Sequence, residues 1–148
     1  MLKSIIGIIV AYIVMAIFAF GVFTCAYLGL GVDRVFEPDS YAVSTVWIAI
    51  MIGVALIGGI LGGLTCAAIS NSKGACTAFA VIVFVLGLAV AIPALTKEKT
   101  SEPRTGDVPN LTAMSMAQNP TWLLLLNPAI SAAGILLGAK KKLPAAAA

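Results

Sequence analysis

The stretch "ALIGGILGGLTCA", Ala55 to Ala67, sets four glycines among strongly apolar neighbours. Glycine in a helix interior costs ~1 kcal/mol relative to alanine, so such a cluster needs a compensating contact. On a helix, residues four apart share a face. Ala55, Gly59, Gly63 and Ala67 therefore form one line of small side chains, and Gly58 and Gly62 widen it into a groove. In lipid the tails are as apolar as leucine, so helices associate by close backbone approach, and small-xxx-small lines permit it. The reading predicts a close helix contact here, with the first or third span of the same chain as the expected neighbour.

The apolar character extends along most of the chain. Of its 148 residues, 61% are hydrophobic and 10% charged, and the mean hydropathy is +1.08. A water-soluble domain of this size does not sustain that balance. Four spans are expected, at about residues 4–30, 44–70, 75–95 and 120–139, each long enough to cross a hydrocarbon core of about 30 Å. The runs are continuous rather than alternating, which argues for helices over a transmembrane barrel. The predicted fold is an all-α integral membrane protein, one domain of four transmembrane helices in an antiparallel bundle. A longer polar loop, 96–119, joins the third and fourth helices, and a basic, alanine-rich tail occupies 140–148. The length of the first run marks it as a retained span rather than a cleaved leader.

Four spans place both termini and the turn Asn71–Gly74 on one side, with Lys3, Lys73, Lys140, Lys141 and Lys142. The other side holds Arg34, Lys97, Lys99 and Arg104 with all six acidic residues. Counting Lys and Arg alone, as the orientation rule requires, favours cytoplasmic termini by five to four. The inner membrane of a bacterium is the expected seat, since the chain has the look of the small four-span proteins found there. Tyr27, Tyr41, Trp47 and Trp122 fall near span ends on the loop side, where aromatic rings are expected at headgroup level. Lys140 to Lys142 are the residues expected at lipid headgroups.

Smaller motifs refine the bundle. Gly21, Cys25 and Gly29 make a weaker small-residue line in the first span, Gly87 and Ala91 in the third, and Gly134 and Gly138 in the fourth. Pro93 is expected to mark the exit of the third span. Asn119-Pro120 reads as a cap followed by a first-turn proline, while Pro103 and Pro109 restrict the long loop to one short turn around 110–118. Asn127-Pro128 interrupts the fourth span. The proline frees a backbone carbonyl, and Asn127 is expected to satisfy that carbonyl or a neighbouring helix.

Candidate chemistry is sparse. The chain has no histidine, the usual metal and haem ligand and the usual base near neutral pH, and no cofactor or metal is expected. Cys25, Cys66 and Cys76 have no paired-ligand spacing and read as small packing residues. Asp33, Arg34, Glu37 and Asp39 read as a solvated turn orienting two helices. The Gly58–Gly63 run follows no strand and precedes no lysine, unlike a phosphate loop, and no nucleic acid is expected as a partner. Asn110-Leu111-Thr112 fits a glycosylation acceptor. The expected function is that of a non-enzymatic accessory or structural subunit, with membrane lipids and other integral membrane subunits as partners. A small transporter or channel subunit, using the Gly58–Gly63 groove and the Asn127-Pro128 break, is the alternative, and an intramembrane enzyme a remoter one.

Overall fold

The structure is a computed structural model; it describes residues 1–96, 106 and 108–143. Among the described residues six helices appear in the order α1 Leu2–Leu30, α2 Val32–Val35, α3 Thr45–Ser70, α4 Lys73–Thr96, α5 Asn110–Met116 and α6 Thr121–Lys142. Among the described residues, α1, α3, α4 and α6 are long and apolar enough to cross a membrane. The fold is an all-α transmembrane bundle. The tail from residue 144, and Lys97, Lys99, Pro103 and Arg104 of the long loop, lie outside the described residues.

Local signals explain the helix limits. At Gly31, with φ 75°, the backbone N–H closes on the Tyr27 carbonyl and the chain leaves α1, a conformation that glycine adopts without strain. Ser44 caps α3: its Oγ accepts from the Trp47 N–H at 3.2 Å and donates to the Arg34 carbonyl at 2.6 Å. Asn71, left-handed at φ 47°, ends α3, and Ser72 Oγ accepts from the Ala75 N–H at 3.3 Å to begin α4. In lipid, Thr65 disposes of its hydroxyl by donating to the Leu61 carbonyl at 2.8 Å.

α4 ends at Thr96, within a residue of the expected 95, with Pro93 inside its last turn. One expected boundary differs. At the start of α6, Pro120 itself is the cap residue, with extended ψ of 139°, so the helix begins at Thr121 and Asn119 makes no side-chain cap.

Consecutive spans run antiparallel, yet the principal contact joins α3 to α6, two helices that run in the same direction. They form the centre: 39% of the most apolar window of α3 and 33% of that of α6 is buried, against 11% for α1 and 17% for α4. α1 lies against α3, and α4 lies against α6. At the end carrying the termini, Ala11, Cys66, Cys76, Phe79 and Ile135 close a common core. At the loop end a second core gathers Tyr27, Val35, Phe36, Trp47 and Ala113.

That second core lies under a cap of loop segments. Residues 36–43 form a tight hairpin turned at Asp39, with Phe36 bridged to Val43 and the Glu37 N–H donating to the Ala42 carbonyl at 2.8 Å. The chain after α5 joins it: the Gln118 N–H donates to the Tyr41 carbonyl at 2.8 Å, and the Val43 N–H donates to the Gln118 carbonyl at 3.3 Å. Tyr27 and Trp47 thus belong to a buried cluster, not to a headgroup belt, and the Tyr27 hydroxyl donates to the Val108 carbonyl. Trp122 stays half-exposed at the span end.

Candidate functional site

The glycines of α3 divide between two neighbours. Gly59 and Gly63 face α6, where a Cβ on Gly59 would strike the Ser131 carbonyl and one on Gly63 the Ile135 carbonyl. Gly134 and Gly138 answer from α6: their Cβ atoms would strike the carbonyls of Leu56 and Ile60. Gly58 faces Phe18 on α1, and Gly62 receives Met15 of α1 and Phe79 of α4. Ala55 and Ala67 are buried on the same helix. The neighbour expected for the main line, the first or third span, is therefore corrected to the fourth. The reason is mutual: α6 carries its own Gly134–Gly138 pair, and two facing glycine pairs admit a closer approach than one.

At the loop end the bundle opens. A cavity of about 730 Å³ lies between α4 and α6, with Tyr12 of α1, Met51 of α3 and the chain from Met114 to Asn119 also lining it. It extends from Asn119 to Ser131; ten residues of α6 below Thr121, at 1.5 Å each, take it about 15 Å into the span. That volume falls within the roughly 300–1,000 Å³ of ordinary ligand pockets. A smaller aromatic pocket of about 110 Å³, lined by Phe23, Tyr27, Phe36 and Trp47, adjoins it through Met51, Met114, Ala117 and Asn119.

Pro128 helps to shape the cavity. Its ring is buried against Gly87, where a Cβ would meet the proline Cβ and Cγ at 2.7 Å. Just before it, Asn127 lines the cavity, and its Oδ1 is buried with no hydrogen-bond partner. Asn119, also on the wall, has its Oδ1 in the same condition. A buried amide oxygen without a partner costs about 1–3 kcal/mol, and two of them belong to residues of this one cavity. Sequence reading singled out Asn127 but assigned Asn119 to a helix cap. Met114 and Met116 also line the cavity.

The remaining candidates lie apart from it. Lys140, Lys141 and Lys142 are exposed in the last turn of α6, where positive charge also complements the helix dipole. Asp33, Arg34, Glu37 and Asp39 are exposed on the loop cap. Cys66 and Cys76 are buried free thiols in the terminal-side core, whereas Cys25 is exposed on α1. Asn110 donates its Nδ2 to Thr24 Oγ1 at 3.2 Å.

Comparison with protein-family models, with curated proteins and with solved structures finds no match to this chain.

Proposed function

We propose that the chain is a non-enzymatic accessory subunit of a larger membrane complex, and that its partner is another integral membrane protein. The observation supporting this is the line Gly21–Cys25–Gly29 on α1. Gly21 and Gly29 have no atom within 4 Å of an added Cβ, and Cys25 between them is exposed. The glycine line of α3 is filled from within the chain; that of α1 is open. In lipid a bare backbone face lets another helix approach closely and pack against it, and this face lies on the least buried span.

The chain then sits in a bacterial inner membrane with both termini in the cytoplasm, as the five-to-four excess of Lys and Arg on the terminal side favours. The native Cys25 provides the test. After mild solubilisation, a maleimide cross-linker at Cys25 should join the chain to a different membrane protein identified by mass spectrometry, and Gly21→Leu with Gly29→Leu should remove that product. A purely monomeric preparation, or cross-links only between copies of this chain, would count against the reading.

The Asn127 amide on the cavity wall supports a second reading, a small transporter or channel subunit. Its other supposed element is occupied: the Gly58–Gly63 groove holds Phe18, Met15, Phe79 and the α6 backbone. A flux in reconstituted vesicles that vanishes with Asn127→Leu would support this reading, and an unchanged flux would remove it.

A further inference from the structure

We propose that Cys66 of α3 and Cys76 of α4 form a two-coordinate, all-sulfur site for a soft metal ion, Cu(I), beneath the turn that joins the two helices. Both thiols are free and buried, at 0% and 1% exposure, in the core at the terminal end. They share a hydrogen bond, and Ser70 makes another to Cys66. α3 ends at Ser70 and α4 begins at Lys73, so each cysteine lies within a turn, ~5 Å, of its helix end. Under the orientation proposed above this end faces the cytoplasm, where thiols stay reduced.

The donor set selects the ion. Zinc in a closed site takes four ligands, and no group of three or more Cys, His, Asp or Glu side chains gathers among the described residues. The chain has no histidine, and residues 144–148 are proline and alanine, which bring no ligand. The carboxylates of residues 97–107 follow Thr96, at the opposite end of α4 from Cys76, about 30 Å away along the helix. Two sulfurs in a core otherwise made of Ala11, Ala67, Phe79 and Ile135 leave the linear coordination that Cu(I) accepts, and thiolates are the ligands soft ions prefer. On binding, two S–H bonds break, two Cu–S bonds form and two protons leave to water, so the site gains one net negative charge. Cys76 stands in the first turn of α4, where the positive end of the helix dipole offsets that charge.

The experiment uses the purified full chain carrying Cys25→Ser, which removes the exposed thiol, with Cu(I) added anaerobically in competition with a chromophoric Cu(I) chelator. One copper per chain is expected, with the X-ray absorption spectrum of two-coordinate copper bound only to sulfur. Cys66→Ala and Cys76→Ala should each abolish it while keeping the helical spectrum, because alanine is small and apolar. Ser70→Ala leaves both ligands in place and should weaken binding about ten-fold. Since the metal ties α3 to α4, Cu(I) should also raise the SDS concentration needed to unfold the chain, and should not do so in either alanine variant. No copper retained by the Cys25→Ser chain, retention undiminished in either alanine variant, or Zn(II) held as tightly as Cu(I) would overturn the proposal.

Discussion

Gly59 of α3 and Gly134 of α6 meet backbone to backbone: a Cβ built on either would lie 3.1 Å from the other's Cα. One helical turn on, a Cβ at Gly63 would come within 2.9 Å of the Ile135 Cα, and one at Gly138 within 3.0 Å of the Leu64 nitrogen. The two helices are the second and fourth spans, distant in sequence and parallel in direction. Their seam draws the bundle around a centre to which α1 and α4 are added from outside.

The first prediction concerns which glycines the seam needs. At Gly63 the intruding atoms would be the Ile135 backbone, which cannot swing away. Gly63→Ala should destabilise by about 1–3 kcal/mol, the usual cost of overpacking. Gly53 on the same helix has open space around an added Cβ, so Gly53→Ala should gain up to ~1 kcal/mol from helix propensity. Unfolding by SDS titration in mixed micelles, followed by circular dichroism, measures both. Equal effects of the two substitutions would show that propensity, not the seam, governs.

A second prediction couples Gly87 and Pro128. Gly87→Ala forces a methyl onto the proline ring, 2.7 Å from its Cβ and Cγ, and should destabilise α4 against α6 by about 1–3 kcal/mol. Pro128→Ala removes part of that ring and restores a backbone N–H. The double variant should therefore be more stable than the sum of the single effects implies, by about 0.5–3 kcal/mol. Additive effects in the same unfolding assay would mean that the contact is not made.

Much of this architecture was legible because lipid imposes a strong local rule: an uncharged apolar run of sufficient length becomes a helix. The small-residue line on α3 was legible for the same reason. Its partner was not, since spacing within one helix says which face is bare but not which other helix will cover it. Only the pairing of Gly59 with Gly134 decides that. Tyr27 and Trp47 misled because span-end position is shared by a headgroup belt and by a buried loop core; the hairpin at 36–43 covers both, and hydropathy carries no trace of it. Asn119 failed as a cap because Pro120 held the backbone extended for one more residue. The cavity depends on five helices, α1, α3, α4, α5 and α6, and had no local signature beyond Asn127.

Cysteine reactivity offers a third prediction. Cys25 is exposed on α1, while Cys66 and Cys76 are buried at 0% and 1% exposure. A membrane-permeant maleimide should modify one thiol in the folded chain and all three after denaturation in SDS, as read by intact mass. Rapid labelling of Cys66 or Cys76 without denaturation would contradict the closed core at the terminal end.

The last prediction separates the loop cap from the bundle. Trp47 is a buried member of the loop-side core, its ring centroid 5.6 Å from that of Phe23. Tyr27 in the same core donates its hydroxyl to the Val108 carbonyl. Trp47→Ala should cost about 3–5 kcal/mol, as truncation of a buried aromatic side chain does. Tyr27→Phe keeps the ring and removes only the hydrogen bond, so it should cost about 0.5–1.5 kcal/mol and be felt locally. Amide hydrogen exchange in detergent can distinguish the two: Tyr27→Phe should accelerate exchange in α5 while leaving the α3–α6 seam protected, whereas Trp47→Ala should weaken both. Faster exchange throughout α3 and α6 in Tyr27→Phe would mean that cap and bundle open as one cooperative unit.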